Sequence, residues 1–182
     1  MSRNLTRAVA SMDLEEQILT IGSMVAAIAV FLPWIGGEWL GGDTVAYNGF
    51  GFYTGLLGVV IFLLHGFVLL TTILPMTGGP SLVQKSSIDG MRYFATSQAT
   101  ILTLAALTVI ANATLDFTRM EMRFGIYLSL IGSLVATLYA YLRYQEKKKR
   151  DVQNLFHQND HHASKPAPPR APAADNHHPH RS

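Results

Sequence analysis

His65 is the side chain in this chain with the most chemistry to account for. It lies inside the apolar run Phe52–Leu74. An ionisable group in the middle of a membrane-length segment marks a proton relay, a cofactor ligand or a substrate contact, unless a hydrogen bond keeps it neutral as part of the packing. Asn112, Thr100 or a backbone carbonyl would supply that bond. Paired axial histidines on a haem would need a second imidazole from another apolar run, and none of the others holds one, so only a second copy of His65 would complete such a site. Asp116, Arg119, Glu121 and Arg123 form a dense group of charges. They either pair with one another in a tight turn or present a surface to lipid headgroups or a partner loop. His161-His162 and His177-His178-x-His180 have the donor type for weak transition-metal binding, but their proline-rich surroundings make composition the simpler account. No metal or other cofactor is expected.

Catalytic patterns do not add to this set. The sequence has no His-Glu-x-x-His, no Gly-x-Ser-x-Gly and no phosphate-binding loop. It also contains no cysteine, which removes thiolate nucleophiles, disulfides and cysteine-ligated metals together. Small multidrug exporters depend on a carboxylate within a span, and no such carboxylate occurs here. The expectation is a protein that is not an enzyme.

The elements that must position these residues follow from four long apolar stretches, Leu19–Ile35, Phe52–Leu74, Phe94–Leu115 and Phe124–Leu142. Each is near the roughly 20 residues that carry a helix across about 30 Å of hydrocarbon. A backbone in lipid must satisfy its own N–H and C=O groups, so helices are the expected form. The fold class read from the sequence is all-α: an integral membrane four-helix bundle with a short outer loop and a disordered C-terminal tail. Residues 1–13 form an N-terminal arm, either a short interfacial helix or disordered. Residues 14–145 form the transmembrane domain, and residues 146–182 a basic tail rich in proline and histidine.

Charge sets the orientation. Arg3, Arg7, Lys85, Arg92, Arg143 and the run Lys147–Arg150 fall on one side, and the first outer loop has no basic residue at all. Both termini are therefore expected in the cytoplasm of a bacterial-type cell, with the chain in the inner membrane. Arg119 and Arg123 run against the bias. The net charge of +2 gathers after the fourth run, where it reads as a topology anchor rather than a nucleic-acid patch. The N-terminal charges and apolar run do not read as a cleaved signal, because Asp13, Glu15 and Glu16 intervene and no small-x-small site follows.

Local signals refine the elements. Asp13 and Glu16 have the spacing of a capping box at the start of the first helix. Trp34 and Trp39 fall where an outer aromatic belt is expected. Glu38 to Val45, with Gly41-Gly42 between, reads either as a β-hairpin with a two-residue turn or as a plain connector, and Asn48-Gly49 is a second turn signal. Gly51-x-x-x-Gly55 predicts a close helix crossing, and Ser87 stands where the third helix would be capped. Thr96, Thr100, Thr108 and Asn112 form a polar ladder on that helix. Gly125, Ser129, Ser133 and Thr137, with Gly132, Ala136 and Ala140 beside them, give the fourth a small-residue face for helix packing.

Leu32-Pro33-Trp34 at the end of the first run, and Gly125-Ile126-Tyr127-Leu128 leading to Gly132 in the fourth, resemble small uncharacterised bacterial four-span proteins. That resemblance spans about residues 14–145 and implies a fold but no activity. The layout is also similar to claudin-type tetraspans, although the outer loop is shorter and lacks their cysteine pair. The function these features suggest is an accessory or scaffold subunit that meets other membrane proteins, or further copies of itself, through its outer loop and tail. A small channel or transporter subunit with a path past His65 is the alternative.

Overall fold

The computed structural model describes residues 13–38, 42–76, 87–116 and 119–163, with the side chains of Phe52, Met76 and residues 154–163 excepted. The N-terminal arm before Asp13, Trp39, most of the second loop and the tail beyond Ala163 lie outside the described residues. The chain divides into two units, residues 1–147 and residues 148–182. The second unit is described only as the continuation of the last helix.

Among the described residues there are four α-helices: α1 Leu14–Ala29, α2 Gly55–Met76, α3 Ile88–Asp116 and α4 Phe124–Ala163. Three of them, over Gly55–Pro75, Ile88–Asp116 and Phe124–Gln153, are long and apolar enough to cross a membrane. α1 is shorter. Its 16 residues rise about 24 Å at about 1.5 Å each, because the helix expected to run to Pro33 ends four residues earlier and the apolar run is divided. The helix stops at Ala29, and Pro33 opens a strand. Proline fixes its own φ, lacks an N–H and drives the residue before it out of the α region, so a helix approaching Pro33 has to end.

That strand, β1 (Pro33–Glu38), is the centre of a three-stranded antiparallel sheet in the order β2-β1-β3, where β2 is Thr44–Asn48 and β3 is Met120–Met122. The hairpin is present, and its last described pair, Glu38 opposite Thr44, lies further from the glycine pair than a two-residue turn would place it. β3 comes from the α3–α4 connection, with Ile35 opposite Met122 and Gly37 opposite Met120. Gly37 is required at that pairing. Its φ is +154° and a Cβ there would lie 2.0 Å from the Arg119 carbonyl oxygen.

The sheet is seated on the bundle by its apolar face. Trp34 (0% exposed), Ile35, Met120, Val30, Ile61, Ile110 and Ile126 form one cluster, with Val45 and Tyr47 packed against it. Trp34 is therefore a core residue and not a belt residue, and its indole N–H donates to the Ala29 carbonyl at 2.8 Å, where the end of α1 leaves acceptors free. Asn48 makes the predicted turn: its side-chain oxygen accepts the Phe50 N–H at 3.1 Å and its carbonyl accepts that of Gly51 at 3.0 Å. A second cluster, Leu19, Val68, Ala95, Ala136 and Ala140, fills the opposite half of the bundle.

α1 and α4 cross closely at their glycines. A Cβ on Gly132 would stand 2.8 Å from the Ala26 nitrogen, and one on Gly22 would stand 3.1 Å from both the Gly132 oxygen and the Ala136 nitrogen. Gly51 and Gly55 do not serve a helix crossing. A Cβ on Gly51 meets the Tyr47 ring and one on Gly55 meets the Phe50 carbonyl, so these glycines let α2 start tightly against its own preceding loop.

Candidate functional site

His65 stands near the midpoint of α2 and is 0% exposed. Its partner is on α4: Nε2 lies 2.9 Å from Ser133 Oγ, also fully buried. Nδ1 has no hydrogen-bond partner among the described residues, and neither does the buried Ser23 Oγ on α1. These facts favour one tautomer. If the Ser133 hydroxyl donates to Nε2, a single donor, Nδ1–H, is left unpaired; if Nε2–H donates instead, the hydroxyl hydrogen and the Nδ1 lone pair are both unpaired.

The expected partners from α3 are elsewhere. Thr100 binds Thr137 Oγ1 at 2.8 Å, and Asn112 is exposed. The i, i+4 spacing of the ladder carries it off that face. Four residues at about 3.6 per turn overshoot a full turn by about 40°, so four steps from Thr96, buried, to Asn112 rotate the ladder to the opposite side of the helix. The small face of α4 precesses less over its shorter length, and Gly125, Ser129 and Ser133 all stay inside.

A second polar site, not foreseen from the sequence, lies at the end of the bundle where α1 begins. Arg92 of α3 is 5% exposed. Its guanidinium donates to Glu16 Oε1 at 3.1 Å, to the Thr71 carbonyl at 2.8 Å and to Thr71 Oγ1 at 3.4 Å, with Asp89 Oδ1 at 4.0 Å. Arg143 reaches Glu16 at 3.5 Å and Lys147 reaches Asp89 at 3.5 Å. Glu16, Thr71, Asp89 and Arg92, and Arg143 and Lys147 thus bring one end of all four helices into one network. The capping box does not close: Asp13 makes no side-chain cap bond, and Glu16 turns to the buried Arg92 guanidinium, a stronger partner than a backbone N–H. The sequence signal is present, since Arg92 and Glu16 both sit within a turn or two of an apolar run, but each also has a local role there, Arg92 as a topology charge and Glu16 in a capping box.

The charges at the other end are only partly paired with one another. Arg123 lies 3.9 Å from Glu121, whereas Arg119 pairs across the sheet with Glu38. Asp116 is exposed at the end of α3. The structure therefore does not gather the candidate residues into one site: His65 is central, Trp34 is core, Arg119 and Asp116 are at the rim, Asn112 is on an outer face and Trp39 lies outside the described residues. Among the described residues no three His, Asp or Glu side chains come together to hold a metal ion.

No family model matches the chain, and neither does any curated protein or solved structure.

Proposed function

We propose that this chain is a multi-pass protein of a bacterial-type inner membrane, a four-helix bundle with both termini cytoplasmic, that works without catalysis as an accessory or scaffold subunit. The observation that carries the reading is the division of its surface. The outward faces of the helices are large and apolar, including Leu56, Leu63, Leu70, Phe94, Ile101, Ile131, Leu134 and Leu138, all exposed, as lipid contact requires and water does not tolerate over such an area. What is left for recognition is the small sheet and the basic continuation of α4. Inside, polar side chains are largely spent on the fold itself: Thr96, Thr100 and Thr103 back-bond to carbonyls of their own helix and His65 to Ser133.

Affinity capture of the full chain in mild detergent tests this reading. Wild type is expected to retain a partner, or further copies of itself, that a chain ending at Ala163 or one carrying Asp43→Lys retains less well. Equal recovery of bound protein by all three would remove the loop and tail from the role proposed.

The unpaired Nδ1 of His65 favours one other reading, a channel or transporter subunit. A path past His65 would have to open the Trp34, Ile35, Ile61, Ile110 and Ile126 cluster that fills the sheet-side half. A pH-dependent flux in liposomes that His65→Gln abolishes would put that reading first.

A further inference from the structure

The two edges of the outer sheet are built differently. β3 is three residues long, carries Glu121 and is flanked by Arg119 and Arg123. Shortness and charge are the usual means of keeping an edge strand from pairing with another chain. β2 has neither defence. Thr44-Val45-Ala46-Tyr47-Asn48 contains no charge and no proline, and no described strand pairs with its outer side.

The ladder shows which groups face outward. The Arg123 N–H donates to the Trp34 carbonyl at 2.8 Å on the β3 side of β1. By the alternation of an antiparallel strand, Gly36 also faces β3, while Ile35 and Gly37 face β2. Their register partners are Tyr47 and Val45, so the main-chain groups of Thr44 and Ala46, both exposed, point away from the sheet. Beside them is a cleft of ≈ 290 Å³ lined by Phe31, Pro33, Ala46, Tyr47 and Asn48. The exposed apolar stripe of α1, Ile21, Met24 and Ile28, leads along the helix to Phe31.

We propose that β2 is a self-pairing edge: two copies of the chain join their outer sheets antiparallel about Ala46 on a two-fold axis. The strand is complementary to itself in that register. Thr44 falls opposite Asn48, two hydrogen-bonding side chains. Val45 falls opposite Tyr47, a β-branched residue against an aromatic one, which is among the favourable cross-strand pairs. Ala46 meets its own copy with no bulk between the strands, and Asp43 falls opposite Gly49, so no like charges meet. The proposal rests on the membrane reading above, and gains from it. Copies inserted in one orientation hold their β2 edges at one height, and a two-fold axis along the membrane normal is a closed symmetry open to them. α1, short for the hydrocarbon, is the helix for which association relieves mismatch.

The chain has no cysteine, so single-cysteine variants report cleanly. In an antiparallel hydrogen-bonded pair the two Cα atoms at position 46 are about 5.5 Å apart, within disulfide reach. Ala46→Cys in native membranes, under mild oxidant, is expected to convert most of the chain to a reducible dimer. Thr44→Cys alone is not, but Thr44→Cys co-expressed with Asn48→Cys is expected to give the mixed dimer. Ala46→Glu, at an exposed position where folding does not depend on alanine, is expected to leave a monomer in mild detergent where wild type is a dimer. A wild type that is monomeric and Ala46→Cys that does not crosslink would overturn the proposal, as would crosslinking strongest at Thr44 to Thr44. A monomer that still captures a different protein overturns self-pairing and leaves the scaffold reading standing; a dimer that captures nothing else supports self-pairing and removes the adaptor role.

Discussion

At the scale of single residues, the molecule spends its buried polar groups on holding helices together. His65 and Ser133 depend on each other, and the dependence is unequal. Ser133→Ala leaves both imidazole nitrogens without partners in a buried layer, which costs about 1–3 kcal/mol. His65→Leu removes the polar ring with its need for a partner and keeps similar bulk. Thermal unfolding in detergent is expected to place Ser133→Ala below His65→Leu, and the reverse order would mean that the ring is held by something other than Ser133. Arg92 is the sharper case. Arg92→Ala leaves the Thr71 carbonyl without its buried donor and half-buried Glu16 with Arg143 alone, a loss of about 1–3 kcal/mol for a buried polar group left unsatisfied. Arg143→Ala removes a partly exposed partner of the same carboxylate and is expected to cost less than about 1 kcal/mol. Urea or thermal midpoints that rank the two alike would show that Arg92 contributes no more than a surface charge. His65 was conspicuous in the sequence because an ionisable residue stands out in an apolar run. Arg92 was not, because a cation near the end of a run is ordinarily a topology marker, and its two hydrogen-bonded partners, Glu16 of α1 and Thr71 of α2, lie far from it in the chain.

At the scale of elements, the long helices were legible because length and hydropathy alone define them: α2, α3 and α4 fall on the runs that announced them. The sheet was legible only in part. The hairpin had local turn signals, but β3 is three residues whose partner, β1, lies more than eighty residues earlier in the chain, and no local periodicity records such a pairing. The division of the first apolar run was within reach of the sequence, since Pro33 stands inside it. Glycines had to be sorted by what they touch. A Cβ added to Gly66 would have nothing within 4 Å, whereas one on Gly132 would meet the α1 backbone at 2.8 Å. Gly66→Ala is therefore expected to be neutral or stabilising by up to about 1 kcal/mol through helix propensity, and Gly132→Ala to lower the unfolding midpoint by forcing α1 and α4 apart. If Gly132→Ala matched Gly66→Ala in detergent, the α1–α4 crossing would not be the close contact described.

At the scale of the whole molecule, the two ends of the bundle have opposite character, and that polarity is what makes the proposed orientation testable. At the end where α1 begins, the Arg92 network joins all four helices, and Lys147 leads into Lys148, Lys149 and Arg150 along α4. At the other, the sheet covers an apolar cluster, and the basic residues of its connections are engaged by acids, Arg119 by Glu38 and Arg123 by Glu121. Within residues 1–147 the described Lys and Arg side chains are more numerous at the network end, Arg92, Arg143 and Lys147 against Arg119 and Arg123, and by the positive-inside rule the proposed orientation puts that end in the cytoplasm. Cysteines placed at Thr44 and at Ser164 in separate chains carry this to experiment. An impermeant thiol reagent applied to intact cells is expected to label Thr44→Cys and to reach Ser164→Cys only after the membrane is opened. Labelling of Ser164→Cys alone on intact cells would invert the protein, and with it the side from which the β2 edge and the basic extension meet their partners. Labelling of both would place an even number of crossings between the two positions, so that one of α2, α3 and α4 would not be a span.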